Sequence, residues 1–490
     1  MNPIESTRPR RGDVVELEIT GSAFEGTSVA RLDGFVVFVE GGVPGDRVRA
    51  QVQKAKKDYA TARILALLHP SPFRTQPRCP YFGTCGGCRW QHVAYEHQLR
   101  FKEQHVRELF ERVGGFINPP ILPIVGATDI YFYRNKMEYS FSDREWKMLP
   151  PESATQFPSS TEPPNHAGTP SPVFLGLHVP ERYDKVLDIR ECHLQSDVSN
   201  RILNATREFA VDNALDVYSS ERHAGYLRFL VIRQSKRTEE LMVNIVTFDD
   251  RPQVMVRFAR FLNERVQGIT TMVNTINRRK AQIAYGEEEK TYVGDGIIHE
   301  QIGGLTFTVS AGSFFQSNTP QAEELYRIAA EFAGLRPADV VYDLYSGTGT
   351  IALFISRRVK SVVGVESIPA AVDDAQRNVE ANGITNCSFV QSDLLEYLRR
   401  FPSDPGVERP DVVIVDPPRS GMHPEVVGKL IEVGSPRLVY IGCNPATQAR
   451  DAKLLAAGGY ELVNMRPVDL FPQTYHIENV ALFRRPPSSP

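Results

Sequence analysis

The sequence predicts a multidomain α/β protein, with a Rossmann-like domain preceded by a small OB-like β-barrel and a central β-rich α+β domain. Three observations support this prediction. The 490 residues exceed what one ordinary domain contains. Short strands separated by glycines fill residues 11–70, and apolar strands alternate with helices over residues 311–490. Runs that are apolar throughout and alternate with helices are typical of a parallel sheet covered on both faces.

The N-terminal region, residues 1–70, is expected to form the barrel, because alternating strands such as VVELEIT end at glycine turns. Its segment 41–63 carries six basic side chains against two acidic ones, Asp46 and Asp58; the basic residues are Arg47, Arg49, Lys54, Lys56, Lys57 and Arg63. Such a patch suits contact with RNA phosphates, although the solvated face of a barrel has a similar composition. Residues 69–77 contain three prolines and are predicted to be a linker.

The central region, residues 71–310, is predicted to be an antiparallel α+β domain, because segments such as YLRFLVIRQ and ELMVNIVTF are strand-like. Residues 91–115 have helical spacing and end in glycines, so we expect a helix there and consider its packing on the C-terminal domain. Residues 148–172 are rich in Pro, Ser and Thr and lack periodicity. We interpret them as a disordered insertion without a role in the chemistry.

The overall composition is 41% apolar and 23% charged, with a net charge of −3. That excludes a globally basic nucleic-acid coat, so any RNA contact must come from local patches. No apolar run approaches the roughly 20 residues that span a bilayer. The first residues are charged and lack an apolar core, so a secretory signal is not expected. We therefore expect a cytoplasmic protein with no membrane contact, and nothing in the sequence requires a protein partner.

The turn DLYSGTGT, residues 343–350, follows the first strand of the C-terminal region and opens its first helix. Its glycines let a ligand approach the backbone. Glu366 ends the second strand, where a carboxylate can accept hydrogen bonds from two ribose hydroxyls, and Asp393 ends the third, where an adenine edge would lie. A GxG alone also fits a tight turn or a dinucleotide site. The acidic strand ends favour S-adenosylmethionine, because a sulfonium has no pyrophosphate to match a third glycine.

Three later motifs are expected to meet at the same edge of the sheet: VDPPR ending in Arg419, GCNP around Cys443, and HIE ending in Glu478. A cysteine with a separate carboxylate suits methylation of a pyrimidine at C5. Thiolate addition at C6 makes C5 nucleophilic, and a base then removes the C5 proton. Cys443 would be the nucleophile, Glu478 the base, and Asp416 would hold the ring edge or the cofactor. The plainer alternatives are a core cysteine and a solvated glutamate.

The remaining cysteines form a second candidate site. Cys79, Cys85 and Cys88 have the spacing C-x5-C-x2-C on a glycine-rich loop, which favours a metal. Cys192 is the candidate fourth ligand, because it is the other cysteine outside the C-terminal domain. The spacing does not distinguish zinc from iron–sulfur, but it differs from the C-x3-C-x2-C of radical S-adenosylmethionine enzymes.

The motifs DLYSGTGT, VDPPRSG, GCNPATQARD and HIENVALF resemble those of the RNA uracil-C5 methyltransferase family. The resemblance spans residues 311–490 and, with an N-terminal TRAM barrel and a central β-rich domain, nearly the whole chain. It implies that S-adenosylmethionine is bound by Gln316, Tyr345, Thr350, Glu366, Asp393 and Asp416. Thr350 stands where the family often has Asn, and Gly442 where many members have Ser. The cysteine loop is similar to that of the 23S ribosomal RNA branch, which implies a [4Fe–4S] cluster on the four cysteines, with a structural or RNA-positioning role.

The resulting prediction is an RNA (uracil-C5)-methyltransferase acting on 23S rRNA, with tRNA as the alternative substrate. The barrel and the segment Arg134-Asn135-Lys136 are predicted RNA contacts. An N6-adenine enzyme is disfavoured, since Arg419 stands where its aromatic residue would be. A cytosine-C5 enzyme also uses a cysteine and remains open. The rival of another class is a metal-binding RNA chaperone with an inert methyltransferase fold.

Overall fold

The N-terminal strands close into a barrel in a computed structural model that describes residues 8–146, 172–180, 182–400 and 408–486. The barrel has the order β1-β2-β3-β5-β4. Its strands are β1 (Val14–Ser22), β2 (Ser28–Leu32), β3 (Phe35–Glu40), β4 (Arg47–Ala55) and β5 (Tyr59–His69). Alternate side chains point inward, and small or branched residues such as Val37 and Ala50 fill the interior. The predicted barrel is confirmed.

The segment predicted to be a linker, residues 69–77, follows the barrel without a helix or further strand, and its side chains are docked on their surroundings. Two nitrogens of the Arg74 guanidinium lie 2.8 and 2.7 Å from the two carboxylate oxygens of Asp46, whose side chain is fully buried. Phe73 stacks on His97 with ring centroids 3.8 Å apart. Prolines restrict the backbone here, but buried side chains between them fasten the barrel to the rest of the protein.

Helix α1 (Tyr95–Arg112) contacts both the C-terminal domain and the N-terminal barrel. Its residues Val106 and Phe110 are fully buried in the core of the C-terminal domain. On another face of α1, His105 Nε2 is hydrogen bonded to the Ser22 carbonyl of the barrel at 3.0 Å. The apolar spacing that predicts a helix in 91–115 therefore reflects burial against the C-terminal domain.

The central domain is a seven-stranded sheet of order β12-β11-β10-β9-β6-β7-β8. The strands are β6 (Lys136–Ser142), β7 (Phe174–Val179), β8 (Arg182–Asp188), β9 (Leu227–Gln234), β10 (Leu241–Thr247), β11 (Thr271–Ile276) and β12 (Glu288–Val293). Helices α2 (Asp197–Asp212) and α3 (Pro252–Arg265), which were not predicted, lie in the same region. Because α3 crosses between β10 and β11, this pair is parallel, which corrects the wholly antiparallel prediction. Residues 148–171 of the predicted insertion lie outside the described residues.

A hairpin of β13 (Ile297–Ile302) and β14 (Leu305–Ser310) leads into the C-terminal domain. Phe307 and Val309 of this hairpin pack into the C-terminal core, together with residues of α4 (Thr319–Ala333). The predicted helix from Thr319 to about Gly334 is therefore present, and Gly334 ends it with φ +55°.

The C-terminal domain is a doubly wound sheet of order β17-β16-β15-β18-β19-β21-β20. Its strands are β15 (Val340–Leu344), β16 (Ser361–Glu366), β17 (Cys387–Gln391), β18 (Val412–Val415), β19 (Arg437–Gly442), β20 (Glu461–Val468) and β21 (Glu478–Arg484). Its further helices are α5 (Thr350–Ser356), α6 (Pro369–Ala381), α7 (Leu394–Leu398), α8 (Pro424–Val433) and α9 (Pro445–Ala457). Helices α7 and α8 were not predicted.

Strand β21 departs from the parallel arrangement, because it is antiparallel to both β19 and β20. The start of β21 therefore lies at the sheet edge where the parallel strands end, and Glu478 is the first residue of β21. Strands β15 and β18 are buried along their whole length; β18 is apolar throughout, and β15 is apolar except for Asp343. Across the described residues, no helix has the length and apolar character needed to cross a lipid bilayer.

Candidate active site and cysteine pocket

The candidate site lies at the carboxyl ends of the parallel strands, where the strand order reverses around β15. Ligand crevices form at such a reversal. The turn that leaves β15 is tight: Tyr345 has φ +64° and Gly349 has φ +78°. A Cβ at Gly349 would lie 2.6 Å from the ring of Phe389. The Gly347 amide donates to a Glu366 carboxylate oxygen at 3.1 Å, so the turn and the end of β16 form one unit.

The carboxylates after β16 and β17 are held by backbone amides. Glu366 Oε1 accepts from the amides of Ser367 and Ile368 at 2.8 and 2.9 Å. Asp393 Oδ1 accepts from the amides of the two residues Leu395 and Glu396 at 2.9 and 3.1 Å, and so caps α7. Both acidic side chains are therefore oriented before any ligand binds.

Two more carboxylates lie deeper. Asp343 is fully buried, its Oδ2 accepts from the Ala352 amide at 3.0 Å, and its Oδ1 has no partner among the residues that the structure describes. Burial, reinforced by the nearby charge of Asp416, raises the pKa of Asp343 to about 8. Burial raises the pKa of Asp416 to about 7. A bound cation would favour the ionised carboxylates, whereas a pyrophosphate would be repelled. The donor set therefore fits a cationic sulfonium cofactor.

The predicted cofactor residues come from several segments. Burial raises the pKa of Tyr345 to about 12, and the charges of Asp451 and then Asp393 add to this effect. Thr350 begins α5, and its hydroxyl lies 3.2 Å from the hydroxyl of Tyr326. Gln316 precedes α4, and its carbonyl accepts from the Asn135 side chain at 2.8 Å. Tyr345, Glu366, Asp393 and Asp416 therefore lie along one sheet edge, and Gln316 approaches from outside the sheet.

Cys443 and Glu478 are brought together by strand pairing. The last register pair of β19 and β21 is Gly442 with Asn479, so Cys443 and Glu478 occupy the next position. Glu478 is 4% exposed, and burial together with the charge of Asp416 raises its pKa well above the usual value. Burial, then the charge of Glu478, raises the pKa of Cys443 to about 12. A half-buried thiol and a buried carboxyl group thus lie at the same end of the sheet, near Asp416.

Arg419 is a residue whose role sequence reasoning missed, since it served there only to disfavour an adenine enzyme. Its positive charge lowers the pKa of both Cys443 and Glu478. Its Nη2 lies 3.4 Å from Nδ1 of His476, whose pKa is lowered to about 3 by burial first and by Arg419 second. The position of Arg419 directly after Asp-Pro-Pro was the available signal. Phe314, which lies two residues before Gln316, is 67% exposed.

The four cysteines outside the C-terminal domain line one pocket: Cys79, Cys85, Cys88 and Cys192. Burial raises the pKa of Cys85 and Cys88 to about 12 and also raises that of the other two thiols. Within the described ranges, no set of three His, Cys, Asp or Glu residues is arranged as ligands of a single metal ion. Zinc would require sulfurs about 2.3 Å from one centre. An iron–sulfur cluster contains several iron atoms, so its thiolate ligands surround a larger volume than the ligands of a single zinc ion.

The structure differs from expectation at two of the predicted RNA contacts, Asn135 and the basic patch of the barrel. Asn135 is 7% exposed and its side chain donates to Gln316 O and Thr319 Oγ1, so it joins domains and is not available to RNA. Strand β6 begins only at Lys136, the last residue of this segment. On the barrel, Glu16 lies 3.0 Å from Arg47 and 3.4 Å from Arg49 and partly neutralises the patch. The exposed lysines of the patch are Lys54, Lys56 and Lys57.

The doubly wound sheet and its acidic crevice define the class of S-adenosylmethionine-dependent methyltransferases. The solved structure of the Pyrococcus abyssi tRNA (uracil-54, C5)-methyltransferase in complex with S-adenosyl-L-homocysteine is similar to this one, with a TM-score of 0.71 and 27% identity. The match covers 95% of this chain and 100% of that chain.

The family described as tRNA (Uracil-5-)-methyltransferase matches residues 235–485, and the TRAM domain matches residues 8–65. An uncharacterized RNA methyltransferase of Chlorobaculum tepidum is 41% identical over 484 residues, 98% of each chain. Another, of Porphyromonas gingivalis, is 42% identical over 473 residues, covering 96% of this chain and 99% of the relative. The chain belongs to the tRNA (uracil-5-)-methyltransferase family, and it is an S-adenosylmethionine-dependent RNA methyltransferase with an N-terminal TRAM domain.

Proposed function

We propose that the protein methylates C5 of a specific uridine in 23S rRNA, with Cys443 as nucleophile and Glu478 as base. The observation that carries this proposal is the strand register, whose last pair, Gly442 with Asn479, brings the neighbouring Cys443 and the buried Glu478 to the same end of β19 and β21. A family fold alone would not specify the chemistry, because function depends on the site. A thiol and a carboxyl group at one position supply the two groups that C5 substitution needs.

In the first step Cys443 adds to C6 of the uracil as a thiolate. Burial opposes this ionisation, and the positive charge of Arg419 favours it by lowering the pKa of the thiol. The addition converts the C5–C6 double bond into an enolate, which makes C5 nucleophilic. The target base must leave its stack to reach a half-buried thiol, so it is either in a loop or flipped out of a helix. The exposed ring of Phe314 offers a face on which an unstacked base can pack.

S-adenosylmethionine, when bound, supplies the electrophilic methyl group. The residues that would hold it are Gln316, Tyr345, Thr350, Glu366, Asp393 and Asp416. Glu366 is oriented by the Gly347 amide and by the amides after β16, which suits acceptance of hydrogen bonds from ribose hydroxyls. The methyl sulfonium carries a positive charge, which the acidic crevice favours.

In the last step Glu478 removes the C5 proton. The C–H bonding electrons restore the C5–C6 double bond, and the C6–S electrons return to Cys443 as a thiolate. The low exposure of Glu478 and the nearby Asp416 raise its pKa, so that its ionised form holds a proton more tightly. This arrangement makes Glu478 a stronger base than a solvated glutamate.

The cysteine pocket fits a [4Fe–4S] cluster, which Cys79, Cys85, Cys88 and Cys192 would hold. Support comes from the four thiols that line one pocket. Nothing in C5 methylation requires an electron, so the proposed role is structural. The test is to purify the protein anaerobically and to measure its iron content, its sulfide content and its visible absorbance. Stoichiometric zinc without sulfide would show that the pocket binds a zinc ion and not a cluster.

The decisive experiment incubates anaerobically purified protein with labelled S-adenosylmethionine and unmodified 23S rRNA or tRNA transcripts. We expect label in 5-methyluridine at one 23S position. Label in tRNA would support the second candidate, a tRNA uracil-C5 methyltransferase, which is favoured by the structural similarity to a tRNA enzyme. Label in 5-methylcytidine would identify a cytosine enzyme. With Cys443→Ala, we expect neither methylation nor an adduct with 5-fluorouridine RNA; full methylation by this variant would refute the proposed nucleophile.

A further inference from the structure

The connection between β20 and β21, residues 469–477, is buried although it has no regular secondary structure. Asp469 is fully buried and Gln473 and Thr474 are each 2% exposed. Connections normally run over the surface, because their backbone polar groups need partners. This connection ends at Glu478, so the groups that supply its partners also position that carboxyl group.

Helix α1 supplies many of these partners. The Lys102 ammonium lies 2.6 Å from Asp469 Oδ1, and both side chains are fully buried. The same ammonium donates to the Phe471 carbonyl at 3.1 Å, and the Tyr95 hydroxyl donates to the other Asp469 oxygen at 2.9 Å. Displacing either charge would leave its partner unpaired in the interior, so the pair holds the connection in one arrangement.

The connection is anchored to α1 at two residues: Asp469 is the first anchor, and Gln473 is the second. Its φ of +68° is a left-handed conformation that a non-glycine residue keeps only where its surroundings enforce it. Gln98 Nε2 donates to Gln473 Oε1, and the Gln473 amide donates to Gln98 Oε1, both at 3.0 Å. The Gln473 carbonyl accepts from the amides of Arg89 and Trp90 at 2.9 and 3.0 Å. These partners belong to the segment that leads from Cys88 into α1.

We propose that Gln98 and Lys102 are positioning residues for proton abstraction, acting through the 469–477 connection on Glu478. This inference rests on the proposed function. Both side chains are fully buried and contact the connection, so loss of either anchor should spare the addition of Cys443 and the arrival of the methyl group. It should slow the last step, in which Glu478 takes the C5 proton and the C6–S bond breaks.

The test compares Gln98→Met with Gln473→Gly. The first keeps the side-chain volume but removes the amide bonds. The second removes the Oε1 anchor while easing the left-handed backbone, so it should fold even where the first does not. Gln104→Met is the matched control, because Gln104 lies on the exposed face of the same helix. Circular dichroism verifies folding of each variant.

We expect both anchor variants to bind S-adenosylmethionine as tightly as wild type and to incorporate one methyl group at nearly the wild-type rate. Release of product should be about 10- to 100-fold slower, the effect of roughly 1 Å of misplacement. A denaturation-resistant protein–RNA adduct should therefore accumulate on ordinary uridine RNA, as with Glu478→Gln, whereas Gln104→Met should show none.

Two outcomes would overturn the inference: equal losses in cofactor binding, methyl incorporation and release, which indicate a general structural defect, or release at the wild-type rate in both anchor variants. If Glu478→Gln accumulates adduct and the anchor variants do not, the proposed function stands and only this inference fails. If wild type forms no 5-methyluridine on any RNA, the proposed function fails first.

Discussion

Replacing Glu478 with Gln should have opposite effects on turnover and on the acidity of Cys443. The substitution removes the proposed base, and a general base contributes about 10²- to 10⁴-fold to the rate. It also removes a negative charge that raises the pKa of the Cys443 thiol. The sign is therefore fixed: the variant should be almost inactive, while its thiol ionises at lower pH than in wild type.

The size of the second effect is worked out for Cys443 and Glu478 placed as the next opposed pair after Gly442 and Asn479. Residues directly opposite in an antiparallel pair have Cβ atoms about 5 Å apart. At an effective dielectric constant of about 20, one charge at that distance contributes roughly 3 kcal/mol, or about 2 pKa units. Water and salt reduce this for a half-buried thiol, so we expect the pKa of Cys443 to fall from about 12 by about 1 to 2 units.

The assay is alkylation of Cys443 by iodoacetamide as a function of pH, followed by mass spectrometry of the cysteine peptide. Glu461→Gln, which changes an exposed carboxylate at the start of β20, is the control and should leave the profile unchanged. A pKa of Cys443 that does not move, or that rises, would show that the charge of Glu478 does not reach the thiol. Turnover near the wild-type level would remove Glu478 as the base.

Three further predictions concern stability, the cysteine pocket and RNA binding. Lys102→Met should destabilise the protein by about 3–5 kcal/mol, because it leaves Asp469 buried and unpaired; thermal melts should show partial recovery in Lys102→Met/Asp469→Asn, and equal melts would contradict the pairing. Cys192→Ser should lower the iron and sulfide content of anaerobically purified protein, whereas Cys387→Ser should not, since Cys387 lies outside the pocket. Replacing Lys54, Lys56 and Lys57 with Ala should weaken RNA binding and flatten its salt dependence by up to about three counterions in a titration, and an unchanged slope would exclude the barrel patch.

Much of the fold follows from local patterns. The alternation of apolar strands and helices specifies the C-terminal sheet, and α6 has the predicted bounds, 369–381. Helix α8 was missed because its sequence, PEVVGKLIEV, has a glycine at its centre. The parallel pair β10–β11 was missed because strand direction depends on the crossing helix α3, which no strand pattern reveals.

Some residues of the candidate site were likewise predictable from the sequence, and others were not. Cys443, Glu478 and Asp416 stand next to strand ends in short motifs, and the sheet edge brings them together. The anchors of the 469–477 connection were beyond prediction, because Gln98 and Gln473 are 375 positions apart and neither belongs to a motif. The segment Arg134-Asn135-Lys136 misled because charge near a strand was taken as exposure, whereas Asn135 is buried between domains.

The docking of the barrel bears on how a substrate is selected. The Asp46–Arg74 pair and the contact of His105 with Ser22 fix the barrel to the body of the protein. A Cβ at Gly26 of the barrel would lie 2.8 Å from Tyr475, so the barrel also rests on the connection that ends at Glu478. If the barrel lysines bind RNA, the distance between this contact and the uracil pocket is fixed. Such a fixed distance selects a uridine by its position in a folded RNA, so few contacts with the neighbouring bases are needed.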